Sequence, residues 1–257
     1  MESSRDLDHK IWGIAWPAIL SNISIPLLGL VDAAILGHLG STDFLGAVAI
    51  GAALLSFLYW GFSFLRMGTT GLVARASGRQ HHGLGLLILA RSAVLALVLA
   101  LLVLLLHPLL LQLGFTLMSP RPELLALSES YAGIRIFSAP AVLLNYAIVG
   151  WFIGRQDTRW PMLIVVATNL INIVLDFVFI IGLEMNSDGA ALATVLAEYL
   201  GCGLAIVAVC RSRITLPAGL WRELSSWSGY RTLLRSNRHL FVRTMLLLSS
   251  FAFFTAM

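Results

Sequence analysis

Charge is scarce in this sequence: Asp, Glu, Lys and Arg make up 12% of the 257 residues, against 58% hydrophobic. A water-soluble domain carries about 25% charged residues, so this balance argues against a soluble fold. Cysteine is nearly absent. Cys202 and Cys210 lie in one apolar run, eight residues apart on a helix, a spacing unsuited to a disulfide. The six histidines are scattered, and His81 and His82 sit in a basic loop with no Cys or carboxylate at ligand spacing, so no metal site is expected. Catalytic signatures are missing as well. No serine stands in a G-x-S-x-G setting, and the glycine-rich pieces at Gly51, Gly83-Leu84-Gly85 and Gly201-Cys202-Gly203 lack the Lys-Ser/Thr continuation of a phosphate loop. Neither an enzyme nor a bound cofactor is expected. The start, MESSRDLDHK, has no small-residue cleavage site, so no removable targeting peptide is expected.

What is present is apolar runs long enough to cross a bilayer core of about 30 Å, which takes about 20 helical residues. They lie at 11–36, 44–65, 84–106, 134–153, 161–183 and 189–210, and a seventh begins near Leu240 and is still apolar at Met257. The expected fold class is all-α: a polytopic six-helix transmembrane bundle plus the start of a seventh helix. The sequence isoelectric point near 9.5 does not point to nucleic acid, because the charges lie between apolar runs. Arg5 and Lys10 precede the first run. Arg66, Arg75, Arg79 and Arg91 surround the second connection, Arg155 and Arg159 the fourth, and seven arginines from Arg211 to Arg243 the sixth. By the positive-inside rule the N-terminus and the connection after the sixth helix face the cytoplasm. Residues 1–210 are expected to form a six-helix lobe, 211–239 a cytoplasmic linker and 240–257 the start of a further lobe. In the linker, Leu220, Trp221, Leu224, Trp227, Tyr230, Leu233 and Leu234 recur at three-and-four spacing. That is the pattern of an amphipathic surface helix, or of a linker with scattered aromatics.

An ionisable side chain at the bilayer centre costs about 2.5–3.5 kcal/mol on insertion scales, so each needs a reason. Three carboxyls stand inside apolar runs: Asp32, Asp176 and Glu198. Asp32 follows Pro17 and Pro26, each of which removes a backbone donor and permits a kink. It either exchanges a proton or pairs at a helix interface near the headgroups. Asn169, Asn172 and Asp176 fall at i, i+3 and i+7 and share one helix face, with Asn172 placed to donate to Asp176. That face looks inward, as polar glue between helices or as a site. Thr194 stands four residues before Glu198, and the fourth run offers Asn145, with Tyr131 nearer its outer end. All of these except Glu198 are expected to gather in the outward half of the bundle, and the intramembrane charges read as acidic.

The opening IWGIAWPAILSNISIPLLGLVDAAILGHLGS resembles the first helix of multidrug and toxic compound extrusion (MATE) transporters. FLRMGTTGLVARASGRQ is similar to that family's second-helix exit. GWFIGRQDTRWPMLIVVATNLINIVLD resembles its fourth-to-fifth hairpin, where Gly154, Asp157, Thr158 and Pro161 match a recurring pattern. The Asn/Asp face on helix five resembles the DNA-damage-inducible F branch. The resemblance implies two six-helix lobes, of which the second is missing here, around a cleft that opens alternately to either side of the bilayer. It also implies export of cationic or amphipathic small molecules in exchange for protons or sodium ions, with no cofactor, from a bacterial inner membrane. Carried over by residue, Asp32, Asn172, Asp176, Thr194 and, less directly, Asn145 and Tyr131 match the family's cation-coupling and polar positions. Glu198 matches none; it is a second carboxylate of the proton route or a packing residue.

A drug/proton antiporter is the leading expectation. A sodium-coupled antiporter, a lipid-linked precursor flippase of the same superfamily and an inactive shortened product are the alternatives. Flippases of that kind use several basic residues to hold a pyrophosphate. An intramembrane enzyme lacks a nucleophile here, and a receptor would not usually keep its N-terminus inside.

Overall fold

Residues 4–38, 41–79, 82–212 and 220–256 are described by a computed structural model. His81, Arg213, residues 214–219 and Met257, and the side chains of Arg5, Lys10, Leu220 and Trp221, lie outside the described part. The described residues are helical, because in hydrocarbon a helix bonds its own backbone groups internally. In chain order the helices are α1 (Ser4–Gly37), α2 (Asp43–Gly61), α3 (Phe64–Gly78), α4 (His82–Met118), α5 (Pro122–Arg135), α6 (Ala139–Gly154), α7 (Arg159–Asp176), α8 (Asn186–Arg211), α9 (Leu220–Leu224) and α10 (Trp227–Ala256).

Six stretches are long and apolar enough to cross a membrane: Ala15–Gly37, Asp43–Gly78, Gly83–Met118, Pro122–Gly154, Arg159–Gly182 and Asn186–Arg211. The second combines α2 and α3, and the fourth combines α5 and α6. Three of them outrun the hydropathy-based limits. Arg66 and Arg75 fall inside the second span rather than in a loop, the third continues to Met118, and the fourth starts at Pro122. Hydropathy falls where charges appear, but a helix does not stop there, because a long Arg stem lies along the apolar surface and carries its head to a polar partner. Arg135 is therefore well inside a span.

α1 runs through Pro17 and Pro26 as one helix. Span four is interrupted by a 3-10 turn at Ile136–Ser138, and α7 widens into a π-helical turn at Phe177–Gly182, with the Leu183 N–H bonded to the Val178 carbonyl at 2.9 Å. Such π turns recur beside functional residues. The expected surface helix and the expected seventh span meet within one helix, α10, so residue 239 falls inside it. Of the linker's apolar residues, Leu233 is buried, Leu224 and Tyr230 are half-buried and Leu234 is exposed, and the buried side continues through Asn237 and Thr244. Trp227, by contrast, is 71% exposed. Phe241 meets Phe64 edge-on at 5.5 Å, which ties α10 to α3.

Three apolar clusters form the interior. One surrounds Leu55, Leu65, Ile136 and Leu143, a second Val73, Trp151 and Phe152, and a third Leu36, Val48, Tyr131 and Ile180. Leu101, Leu105, Leu109 and Leu113 make an exposed stripe on α4 at four-residue spacing, the face suited to lipid. The closest helix packing is α6 on α3, at Gly150-x-x-x-Gly154. The Thr70 hydroxyl donates to the Gly150 carbonyl at 3.1 Å and to the Arg66 carbonyl at 2.8 Å. A Cβ on Gly150 would stand 2.6 Å from the Arg66 carbonyl oxygen, and one on Gly154 2.8 Å from the Thr70 carbonyl oxygen. Small residues at this spacing let membrane helices approach to backbone contact.

Gly150→Leu is therefore expected to cost about 1–3 kcal/mol by overpacking against backbone that has no room to move. Gly203→Ala, which has nothing within 4 Å, is the neutral control. Thermal unfolding midpoints in detergent should fall by several degrees for the first and stay near the parent's for the second.

Candidate functional site

The charged end of the bundle, carrying Arg75, Arg79, Arg155, Arg159 and Arg211, is called here the basic end, and the opposite one the far end. Toward the far end, four helices bring together polar side chains that lipid could not satisfy. Asp176 closes α7, is 1% exposed, and comes within hydrogen-bonding reach of the Asp32 carboxyl on α1. Two carboxyls make such a bond only when one of them carries a proton. Asp32 Oδ1 is buried and without a donor among the described residues.

Asn172, also 1% exposed, stands one turn before Asp176. With its amide turned so that both ends are satisfied, Nδ2 donates to Asp176 Oδ2 and Oδ1 accepts from the Thr194 backbone N–H, both at 3.2 Å. In the other orientation Nδ2 reaches Thr194 Oγ1 at 3.3 Å. Thr194 Oγ1 donates to the Ala190 carbonyl at 2.8 Å. Tyr131 of α5 flanks this group and packs against Gly51, where a Cβ would stand 2.5 Å from its ring. The Tyr131 hydroxyl is within hydrogen-bonding reach of Arg135, one turn on along α5.

Asn145, Asn169 and Glu198 lie elsewhere. They line a cavity of about 710 Å³ in the middle of the bundle, with Arg135, Arg66, Tyr59 and Tyr146. The placement follows from helix geometry: fourteen residues separate Tyr131 from Asn145, about 21 Å of helix, so the two cannot share a site. Asn169 is two turns below Asp176, where its Nδ2 donates to Ser24 Oγ at 3.1 Å and joins α7 to α1. Pro17 is buried and Pro26 exposed, both on α1.

The cavity's wall contains the break in span four. Arg135 Nη1 donates to Ser138 Oγ at 2.5 Å, its guanidinium faces the Tyr59 ring at 6.0 Å, and Nη2 stands 4.0 Å from Glu198 Oε1. The Tyr59 hydroxyl meets Ser138 Oγ at 3.1 Å, and the Tyr199 hydroxyl donates to the Phe137 carbonyl at 2.9 Å. The Tyr199 bond, with a contact of the Tyr59 hydroxyl to the Ile136 carbonyl at 3.4 Å, gives two carbonyls of the broken turn a partner. Arg135 and Tyr59 were not singled out from sequence, although Pro140, one position into α6, signals a helix start there. The mid-bundle charges are thus of both signs, which corrects the expectation of acidic groups alone.

The MatE family pattern matches residues 17–178. The chain belongs to this family, the multidrug and toxic compound extrusion transporters. It is 40% identical to the DNA damage-inducible protein F of Escherichia coli, covering 97% of this chain and 55% of that one. It is 28% identical to a probable multidrug resistance protein NorM of Thermotoga maritima, covering 91% and 51%. A MOP superfamily transporter from Pyrococcus furiosus has the same fold, with a TM-score of 0.80 at 23% identity over 92% of this chain and 52% of that one. The chain thus spans about half the length of these relatives, and its six spans take up the MATE fold over that half.

Asn172 is the hub of the far-end group, so Asn172→Leu leaves Asp176 buried without its donor. The expected loss is about 1–3 kcal/mol. A thermal midpoint in detergent indistinguishable from the parent's would show that the amide carries no such bond.

Proposed function

We propose that this chain supplies one lobe of an inner-membrane exporter that exchanges protons for small cationic or amphipathic molecules. The observation that carries the reading is the approach of the Asp32 and Asp176 carboxyls, from two helices, at a buried site next to a cavity large enough for a small molecule. A pair that holds one proton between its members suits a coupling site, because loss or gain of that proton changes the charge of a water-poor pocket by a full unit. Asn172 and Thr194 orient the pair, and Tyr131 shields it toward the cavity. Glu198, Asn145 and Asn169 belong to the substrate side. Residues 1–210 form the lobe, 211–239 lead out of it, and 240–257 open the second. Sodium is the alternative coupling ion, since the group offers oxygen ligands suited to a hard cation.

A chimera completes the test: this chain joined to the second half of the E. coli relative, in proteoliposomes. An imposed proton gradient should drive ethidium transport, and a sodium gradient should not. Asp32→Asn, close in shape to the protonated acid, should abolish the driven transport while the protein stays folded. A capping Asp replaced by Asn would lose only a few tenths of a kcal/mol, roughly, and keep its activity. Asp176→Asn should also uncouple, and the double variant should be no worse than the more severe single one, as expected for members of one unit. Wild-type proton release on ethidium binding by Asp32→Asn would remove that residue from the mechanism.

The orientation follows from the arginine-rich end facing the cytoplasm. Cysteines placed at the exposed positions Ser119 and Glu184 should react with an impermeant maleimide added to intact cells, and one at Ser225 should not. The opposite pattern would invert the topology.

A further inference from the structure

From the lining of the mid-bundle cavity we infer that it recognises an acidic group: its ligand is an amphipathic molecule bearing a carboxylate or similar monoanion, received by Arg135 with Arg66 at the mouth. The inference rests on the proposal that this cavity holds the exported molecule, and it narrows the class of that molecule.

Three observations carry it. The first is the charge of the lining. Arg135 and Arg66 face the same space as the single carboxylate of Glu198, so the formal balance is one positive charge. The second is the geometry of Arg135. Its partners on the described residues are Ser138 Oγ, the Tyr131 hydroxyl and a carboxylate at 4.0 Å, beyond hydrogen-bond distance. A guanidinium has five N–H donors and is built to grip a carboxylate two-pronged, so donors remain for a ligand. The third is Asn145, whose Oδ1 is buried and has no partner among the described residues. With the amide turned end for end, Nδ2 takes that place and offers a further donor to a ligand lying along the same cavity.

A simple cation is disfavoured in this cavity. To reach Glu198 it would displace Arg135 and leave a guanidinium in the middle of a membrane span without its counter-charge. An anion displaces nothing, because it adds to an ion pair that is already loose. Arg66 stands over the Tyr146 ring at 5.9 Å, at the exposed side of the cavity, where it attracts a negative headgroup before the ligand's body settles. The body meets Phe57, Trp60, Val142 and Leu28, which form an apolar and aromatic wall.

The test holds the body constant and changes the headgroup. Equilibrium dialysis of the two-lobe chimera in detergent would compare 2-naphthylacetate, its neutral amide, and the quaternary 2-naphthylethyl-trimethylammonium. The acid is expected to bind about tenfold tighter than either, as a charge-assisted two-pronged bond requires. Arg135→Gln should abolish the preference by weakening the acid alone, with the amide's affinity within about twofold of the parent's. Because Arg135 also supports the helix break, Arg66→Gln, at an exposed position, serves as a second variant. It should weaken the acid about threefold and spare the amide. Equal binding of all three probes, tighter binding of the ammonium, or equal losses for acid and amide in both variants would overturn the inference. The proton-driven transport assay is read separately, with 2-naphthylacetate as a second cargo beside ethidium. Retained driven transport with no acid preference sinks the acidic-group assignment and leaves the exporter standing. A clear acid preference with no proton-driven transport of either ethidium or 2-naphthylacetate supports the site and sinks the antiport reading.

Discussion

In hydrocarbon, a polar group obtains its partner from the protein or goes without, and the break in span four is where this lobe meets that demand most fully. A 3-10 turn at Ile136–Ser138 leaves backbone groups that a continuous helix would have bonded. Tyr59 from α2 donates to the Ile136 carbonyl and Tyr199 from α8 to the Phe137 carbonyl, while Arg135 from α5 holds the Ser138 hydroxyl. Everything in the middle of the bundle follows from this. The guanidinium is held at mid-depth because Ser138 and the Tyr59 ring give it something to bind, and Glu198 is tolerated on α8 because the guanidinium is there. The cavity opens beside this turn, with Arg135 and Tyr59 in its wall.

How much of this was legible in the sequence depended on the range of the interaction. Apolar runs are a local property, and all six spans were found. Their limits were not, because Arg66, Arg75 and Arg135 depress hydropathy without ending a helix. The pairing of Asn172 with Asp176 was legible for the same reason, being one turn of one helix. The approach of Asp32 to Asp176 was not, since it joins α1 to α7 and depends on how the two helices pack. Asn145 shows the reverse error. Its residue type suggested the far-end group, but its distance along the chain from Tyr131 places it in the cavity. The Gly150-x-x-x-Gly154 spacing was available to a sequence reading and explains the tightest contact in the bundle, yet it was seen only as part of a loop pattern. The continuity of α10 was also available, in the recurrence of Leu233, Asn237 and Thr244.

Spans two and four are both jointed, and the joints lie side by side. Span two bends between α2 and α3 at Phe62–Ser63, and Tyr59, three residues before that bend, reaches Ser138 in the joint of span four. Each half is then clamped to the matching half of its neighbour. α5 packs on α2, where Tyr131 covers Gly51 and Leu124 covers Gly46, and α6 packs on α3 through Gly150 and Gly154. At Gly150 and Gly154 the packing is stiff, because a glycine that meets backbone leaves no slack. The lobe is therefore built from a far-end half and a basic-end half, each internally tight, that meet at one level. At that level lie the loose Arg135–Glu198 pair and the cavity. The Asp32–Asp176 pair belongs to the far-end half, and Tyr131 is the side chain that touches both, with its ring against Gly51 and its hydroxyl toward Arg135. A difference in protonation at the carboxyl pair is thus separated from the cavity by a single residue, on a helix whose last turn is the joint itself.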